Sequence, residues 1–247
     1  PDNAPIIYSP NVSDTSVEIS NVNFYFENSL SMNGYLKGVN FSKALRRVLN
    51  NLEDQKKTNA YFVNTDTFPQ SDIKNRIFKS NIKEGNIGNS DHKFIFKTAI
   101  ENAKNNNLSI VVTDGIYSVN DESAINYISE DIEYVFKKAL KQTNIETVVL
   151  KLTSNFNGAY YPESCKKGKS GVKINQDRPY YMILFGNTNS INTALRDIVV
   201  FEDLPGFEEN ARFFIINNID LKYGILDQGE QKQGEFELKD RTNQTNN

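Results

Sequence analysis

The chain has 247 residues, 38% hydrophobic and 24% charged, with a formal net charge of -3. That is enough apolar material for one sizeable core, and it excludes a chain that is disordered throughout. The charge balance gives no basic field for nucleic acid, no run of about 18 apolar residues could span a bilayer as a transmembrane helix, and the one cysteine, Cys165, can close no internal disulfide.

Residues 1–15 carry Pro1, Pro5 and Pro10 and read as a lead-in arm. A start at Pro1 instead of Met reads as a processed chain, which favours a periplasmic or cell-surface setting over the cytoplasm. Residues 17–27 end in a compact apolar run that suits a buried strand. The Ser-, Asn- and Gly-rich segment 28–40 reads as a loop. In 41–56, Phe41, Ala44, Leu45, Val48, Leu49 and Leu52 fall at helical spacing and predict the first helix.

Residues 60–64 predict a short strand, while 65–90 fit no single template. A helix is expected near 91–105. The β-branched run 108–113 then ends at Asp114 and Gly115. A long amphipathic helix over 122–142, a strand over 146–152, a strand over 180–185 and a helix over 188–199 follow. The Gly- and Lys-rich stretch 154–176 reads as an insertion, 211–226 as one or two further strands, and the polar tail from 228 as disordered. Strand and helix patterns alternate from 17 to 199. This predicts an α/β fold: a doubly wound, mostly parallel open sheet with helices on both faces.

Ligands of such sheets gather at the carboxyl ends of the strands. Three segments stand there. After the first strand, Glu27, Ser29 and Ser31 place a carboxylate and two hydroxyls at alternate positions, and Gly34 permits a turn back. Hard cations take such oxygen ligands. Asp114 ends the most apolar strand, where a carboxylate is costly unless it is paired, hydrogen-bonded or on a metal. Ser90 precedes the helix near 91–105 and could supply another oxygen or cap that helix.

This pattern resembles the von Willebrand factor A family, which has Asp-x-Ser-x-Ser after its first strand, a Thr in a Gly-rich loop, and an Asp within Thr-Asp-Gly after its fourth strand. The resemblance covers roughly 16–200. The remainder is then an extension over 201–227 packed on that domain, followed by the tail. Carried over, Glu27, Ser29, Ser31, Ser90 and Asp114 match the family's metal-ion-dependent adhesion site. Ser90 for Thr keeps the hydroxyl, whereas Glu27 for Asp adds one methylene, about 1.5 Å. The resemblance implies Mg²⁺, or Mn²⁺ or Ca²⁺, with one position left for a carboxylate of a protein or peptide partner. Asn33, Tyr160, Tyr161, Lys166, Lys167 and Lys169 are the expected partner contacts.

Plainer readings stand beside these. Ser29 and Ser31 fit a hydrogen-bonded turn, Asp114 a turn or cap, and His92 a surface or cap position. The run from Cys165 to Gly171 is a solvated basic loop and not a phosphate loop, because Glu163 stands where that motif needs glycine. The competing functions are a metal-assisted hydrolase using Asp114 with Glu27 or Asp91, and a scaffold whose metal site is vestigial.

Overall fold

The computed structural model describes residues 18–55, 57–78, 84–117, 127–142, 144–160 and 171–213. These lie in one compact unit, Pro1–Ile215; a second unit, Ile216–Asn247, is outside the described residues, as are the expected arm 1–15 and the tail.

Seven strands form one sheet: β1 (Val22–Glu27), β2 (Thr58–Val63), β3 (Thr67–Pro69), β4 (Leu108–Thr113), β5 (Glu146–Tyr160), β6 (Val172–Gly186) and β7 (Phe207–Phe213). The spatial order is β3-β2-β1-β4-β6-β5-β7. The helices are α1 (Val39–Glu53), α2 (Ile73–Phe78), α3 (His92–Asn102), α4 (Ile128–Gln142) and α5 (Thr188–Asp197). A 3-10 turn covers Met32–Gly34.

The architecture is α/β with a mixed sheet, which corrects the expectation of a mostly parallel one. Among the described residues only β1–β2 and β1–β4 pair in parallel; β2–β3, β4–β6, β5–β6 and β5–β7 are antiparallel. The cause lies in 146–186. Its two 15-residue strands pair directly with each other, antiparallel, from Glu146↔Gly186 to Tyr160↔Val172. Residues 154–160 and 172–176 of the stretch read as an insertion are therefore sheet. Along β5 the side chains of Val148, Leu150, Leu152, Ser154 and Phe156 are buried at alternate positions, the period of a strand with one face on a core.

The helices do occupy both faces. On one face, Phe24 and Phe26 of β1, Ile110 and Val112 of β4 and Met182 and Leu184 of β6 pack with α1, α2 and α5. On the other, Tyr25, Val111, Ile183 and Phe185 pack with α3 and α4. Because β1 is covered on both faces, all six of its residues are buried, Asn23 and Glu27 included, and its centre, Phe24 to Phe26, reads in the sequence as a compact apolar run. Helix α1 has Gly38 at its N-cap and no side-chain cap there. A cap contributes about 1 kcal/mol, whereas each fully buried Leu, Val or Phe contributes roughly 1.5–3 kcal/mol. The stripe from Phe41 to Leu52 therefore holds the helix. Among the described residues no helix is long and apolar enough to cross a membrane.

Candidate functional site

Strands β1 and β4 run side by side in parallel, with Phe26 opposite Val112. Glu27 and the Thr113-Asp114 pair thus leave the sheet at the same carboxyl edge. Strand order diverges here, since β1 is followed by β2 on one side and flanked by β4 on the other. Ser29 and Ser31 follow Glu27, and Ser90 arrives just ahead of α3. All five residues are buried, Glu27 and Ser90 at 0% exposure, Ser29 at 7%, Ser31 and Asp114 at 6%.

Glu27 is fully bonded. Its Oε1 accepts from Ser90 Oγ at 2.7 Å, and its Oε2 accepts from Thr113 Oγ1 and faces His92 Nε2 at 3.4 Å. Burial pushes its carboxyl pKa up, but the bond to and charge of His92, with Thr113 and Ser90, outweigh burial and hold it below 4.5. His92 mirrors this. Burial lowers its pKa, and the bond to and charge of Glu27 raise it above 6.5. The two form a buried ion pair, which His92 reaches from the first turn of α3. Asp91 caps that helix, its Oδ1 accepting from Phe94 N at 3.0 Å.

Asp114 is different. Its Oδ1 accepts from the Ile116 N–H at 3.0 Å, but its Oδ2 is buried and has no hydrogen-bond partner. Burial, and next the charge of Glu27, push its pKa to about 7, against the Ser31 hydroxyl, the Ile116 N–H and His92. Ser29 Oγ and Ser31 Oγ lie 3.0 Å apart and share one hydrogen bond. Gly115, at φ 72, turns the chain away in a left-handed conformation that glycine adopts without strain. Gly34 serves close approach: a Cβ there would lie 2.2 Å from Phe156 Cε2, so the turn after Ser31 seats directly on β5.

The fold therefore brings together the five expected ligand residues but divides them. Glu27 and Ser90 bond each other, while Asp114, Ser29 and Ser31 keep spare acceptor capacity. Among the described residues no group of three His, Cys, Asp or Glu side chains is placed to hold a metal, so a cation here would rest on hydroxyls and at most two carboxylates. A cavity of about 200 Å³ lies elsewhere, bounded by Leu52, Thr58, Gln70 and Asp72, and none of the five residues lines it.

Of the expected partner contacts, Asn33 is exposed beside the site and Tyr160 is half-buried at the end of β5. Tyr161, Lys166, Lys167 and Lys169, with Cys165, lie outside the described residues. Sequence reasoning missed His92 as a core partner and Thr113 as a donor to Glu27. A histidine two residues after a buried serine at a helix start was the available signal for the first. No family model, no curated protein and no solved structure matches the chain.

Proposed function

We propose that the chain is a protein-binding module of von Willebrand factor A type that holds a hard divalent cation, Mg²⁺ or else Mn²⁺ or Ca²⁺, and bridges through it to a partner carboxylate. The observation that carries this reading is the buried, unpartnered Oδ2 of Asp114 beside the Ser29–Ser31 hydroxyl pair. An orphaned carboxylate oxygen in the protein interior is costly, and a cation relieves that cost. The donors fit a hard cation in kind, because all are oxygens. Asp114, Ser29 and Ser31 would hold it. Glu27, one methylene longer than the family's Asp, stands behind them and fixes Ser90 and Thr113. The bound cation would supply an electrophilic centre for an acidic ligand. The doubly wound resemblance is strongest over β2-β1-β4, the parallel part of the sheet that carries the site.

One observation favours the scaffold reading. The charge of Glu27 is already balanced by His92, so this half of the site is complete without a cation. Titration of Mn²⁺ against the protein, following the signal of free Mn²⁺ by electron paramagnetic resonance, separates the two. The adhesion reading expects one site that Asp114→Asn or the Ser29→Ala, Ser31→Ala pair removes. Equal uptake by wild type and Asp114→Asn, or none by either, leaves the scaffold reading.

A further inference from the structure

Arg178, in the long β5–β6 pair, stands opposite Ser154. Its Cζ lies 4.1 Å from the ring centre of Tyr160 and 5.8 Å from that of Phe156. Its guanidinium also reaches the Tyr35 hydroxyl, which feels the charge of Asp114. That hydroxyl is anchored in turn, donating to Pro179 O at 2.6 Å. Arg178 is thus held over aromatic rings next to the candidate site, and β5 packs directly on the turn that follows Ser31.

What it lacks is a carboxylate. Arg76, Arg196 and Arg212 each hold a carboxylate, of Glu84, Asp197 and Glu146 respectively. Among the described residues Arg178 has no carboxylate partner, and its Nε is buried with no hydrogen-bond partner. Aromatic rings supply no carboxylate or carbonyl oxygen, so the N–H edge of the guanidinium keeps at least the Nε donor to give. That edge is the part that grips a carboxylate through two parallel bonds. The residue as a whole is half-buried, so a ligand can approach it from the solvent side.

We propose that Arg178, stacked on Tyr160, is the residue that takes an acidic side chain of a partner peptide. Asp114, whose charge reaches the Tyr35 hydroxyl that Arg178 also touches, adds negative charge nearby, and this disfavours a multiply charged anion such as a phosphate ester. A singly charged carboxylate flanked by aromatic rings suits the surroundings better. Immobilisation by the rings removes much of the ordering cost of binding. The proposal rests on the protein-binding reading and not on the cation.

The test uses the full ¹⁵N-labelled chain, with the Arg178 Nε–Hε resonance assigned from Arg178→Lys. Acetyl-Gly-Glu-Gly-amide is titrated in EDTA and again in Mg²⁺, beside acetyl-Gly-Gln-Gly-amide and methyl phosphate. The proposal expects the Glu peptide to move this resonance, the Gln peptide to leave it in place, and Arg178→Lys to weaken binding about tenfold, since lysine keeps the charge and loses the fork. Should the lysine variant fold poorly, the wild-type resonance remains the readout, assigned through Tyr160→Leu, which shifts it by removing the stacked ring. A resonance that stays still at the highest peptide concentration, or moves equally for the Gln peptide, overturns the proposal, and so does tighter binding of methyl phosphate. Movement in EDTA unchanged by Mg²⁺ upholds Arg178 while the cation reading fails. Mg²⁺-dependent binding with a still Arg178 resonance does the reverse.

Discussion

Glu27 and Asp114 leave neighbouring parallel strands at one edge of the sheet, and the charge of the first is, after burial, the main force that raises the second to about 7. One carboxylate is neutralised by His92 and the other is left in excess. That asymmetry gives the site its expected responses to substitution and pH.

Without a cation, Asp114 opposes folding at neutral pH. Its folded pKa lies above its ordinary 3.8, so the folded state binds the extra proton, and stability falls as pH rises from there towards 7. Asp114→Asn removes the excess charge. In EDTA at about pH 8 it should raise stability by a few kcal/mol, at about 1.4 kcal/mol per pKa unit. Urea unfolding at that pH reads the difference.

The Glu27–His92 pair sets the rest of the pH profile. Glu27, lowered from 4.5, contributes stability present above that value and lost as pH falls through its folded pKa. His92, raised from 6.5, contributes stability that is full below that value and lost as pH rises through its folded pKa. With Asp114 added, the melting temperature in EDTA should be highest between 4.5 and 6.5 and fall on the alkaline side. A flat profile between about pH 6 and pH 8 would contradict this. His92→Phe should cost about 3 kcal/mol by leaving a buried carboxylate unpaired, and Glu27→Gln added to it should recover part of that loss.

The serines should separate by role. Ser90→Ala removes a bond to a buried carboxylate and should cost roughly 1.5–3 kcal/mol in EDTA. Ser29→Ala breaks only a hydroxyl–hydroxyl bond and should cost about 1 kcal/mol, while abolishing the response to a cation. Chemical denaturation with and without Mg²⁺ tests both halves of this contrast.

Gly158 approaches Gly34 so closely that a Cβ on it would lie 2.7 Å from Gly34 Cα, a backbone atom that cannot swing aside. Gly158→Ala should therefore lift β5 from the turn after Ser31, at a cost of about 1–3 kcal/mol. The shift should also weaken Mn²⁺ uptake, which a titration of the variant reads directly.

Much of the parallel half was legible. The apolar runs ending at Glu27 and Thr113 and the stripe from Phe41 to Leu52 are local patterns, and they place Asp114 and the serines at a strand edge. The strands over 146–152 and 180–185 were legible too, but their continuations over 153–160 and 172–179 were not, because Ser154, Asn155, Asn157 and Gly158 dilute the alternation, and only pairing with Arg178, Gln176 and Ile174 makes that part a strand. Gly34 was read as a turn former, yet its role depends on Phe156, far along the chain. His92 looked like a cap because its partner Glu27 is 65 residues away. Helix-start spacing cannot reveal a carboxylate on another strand.

Cation binding at Asp114 is read by thermal melting of the wild type and Asp114→Asn in EDTA and then in millimolar Mg²⁺, Mn²⁺ or Ca²⁺. A ligand that binds only the folded state at a hundredfold excess over its Kd adds about 2.7 kcal/mol. A cation held by Asp114 should raise the melting temperature of the wild type by several degrees with at least one ion and leave Asp114→Asn unmoved. No rise with any of the three ions, or the same rise in both proteins, would contradict cation binding there.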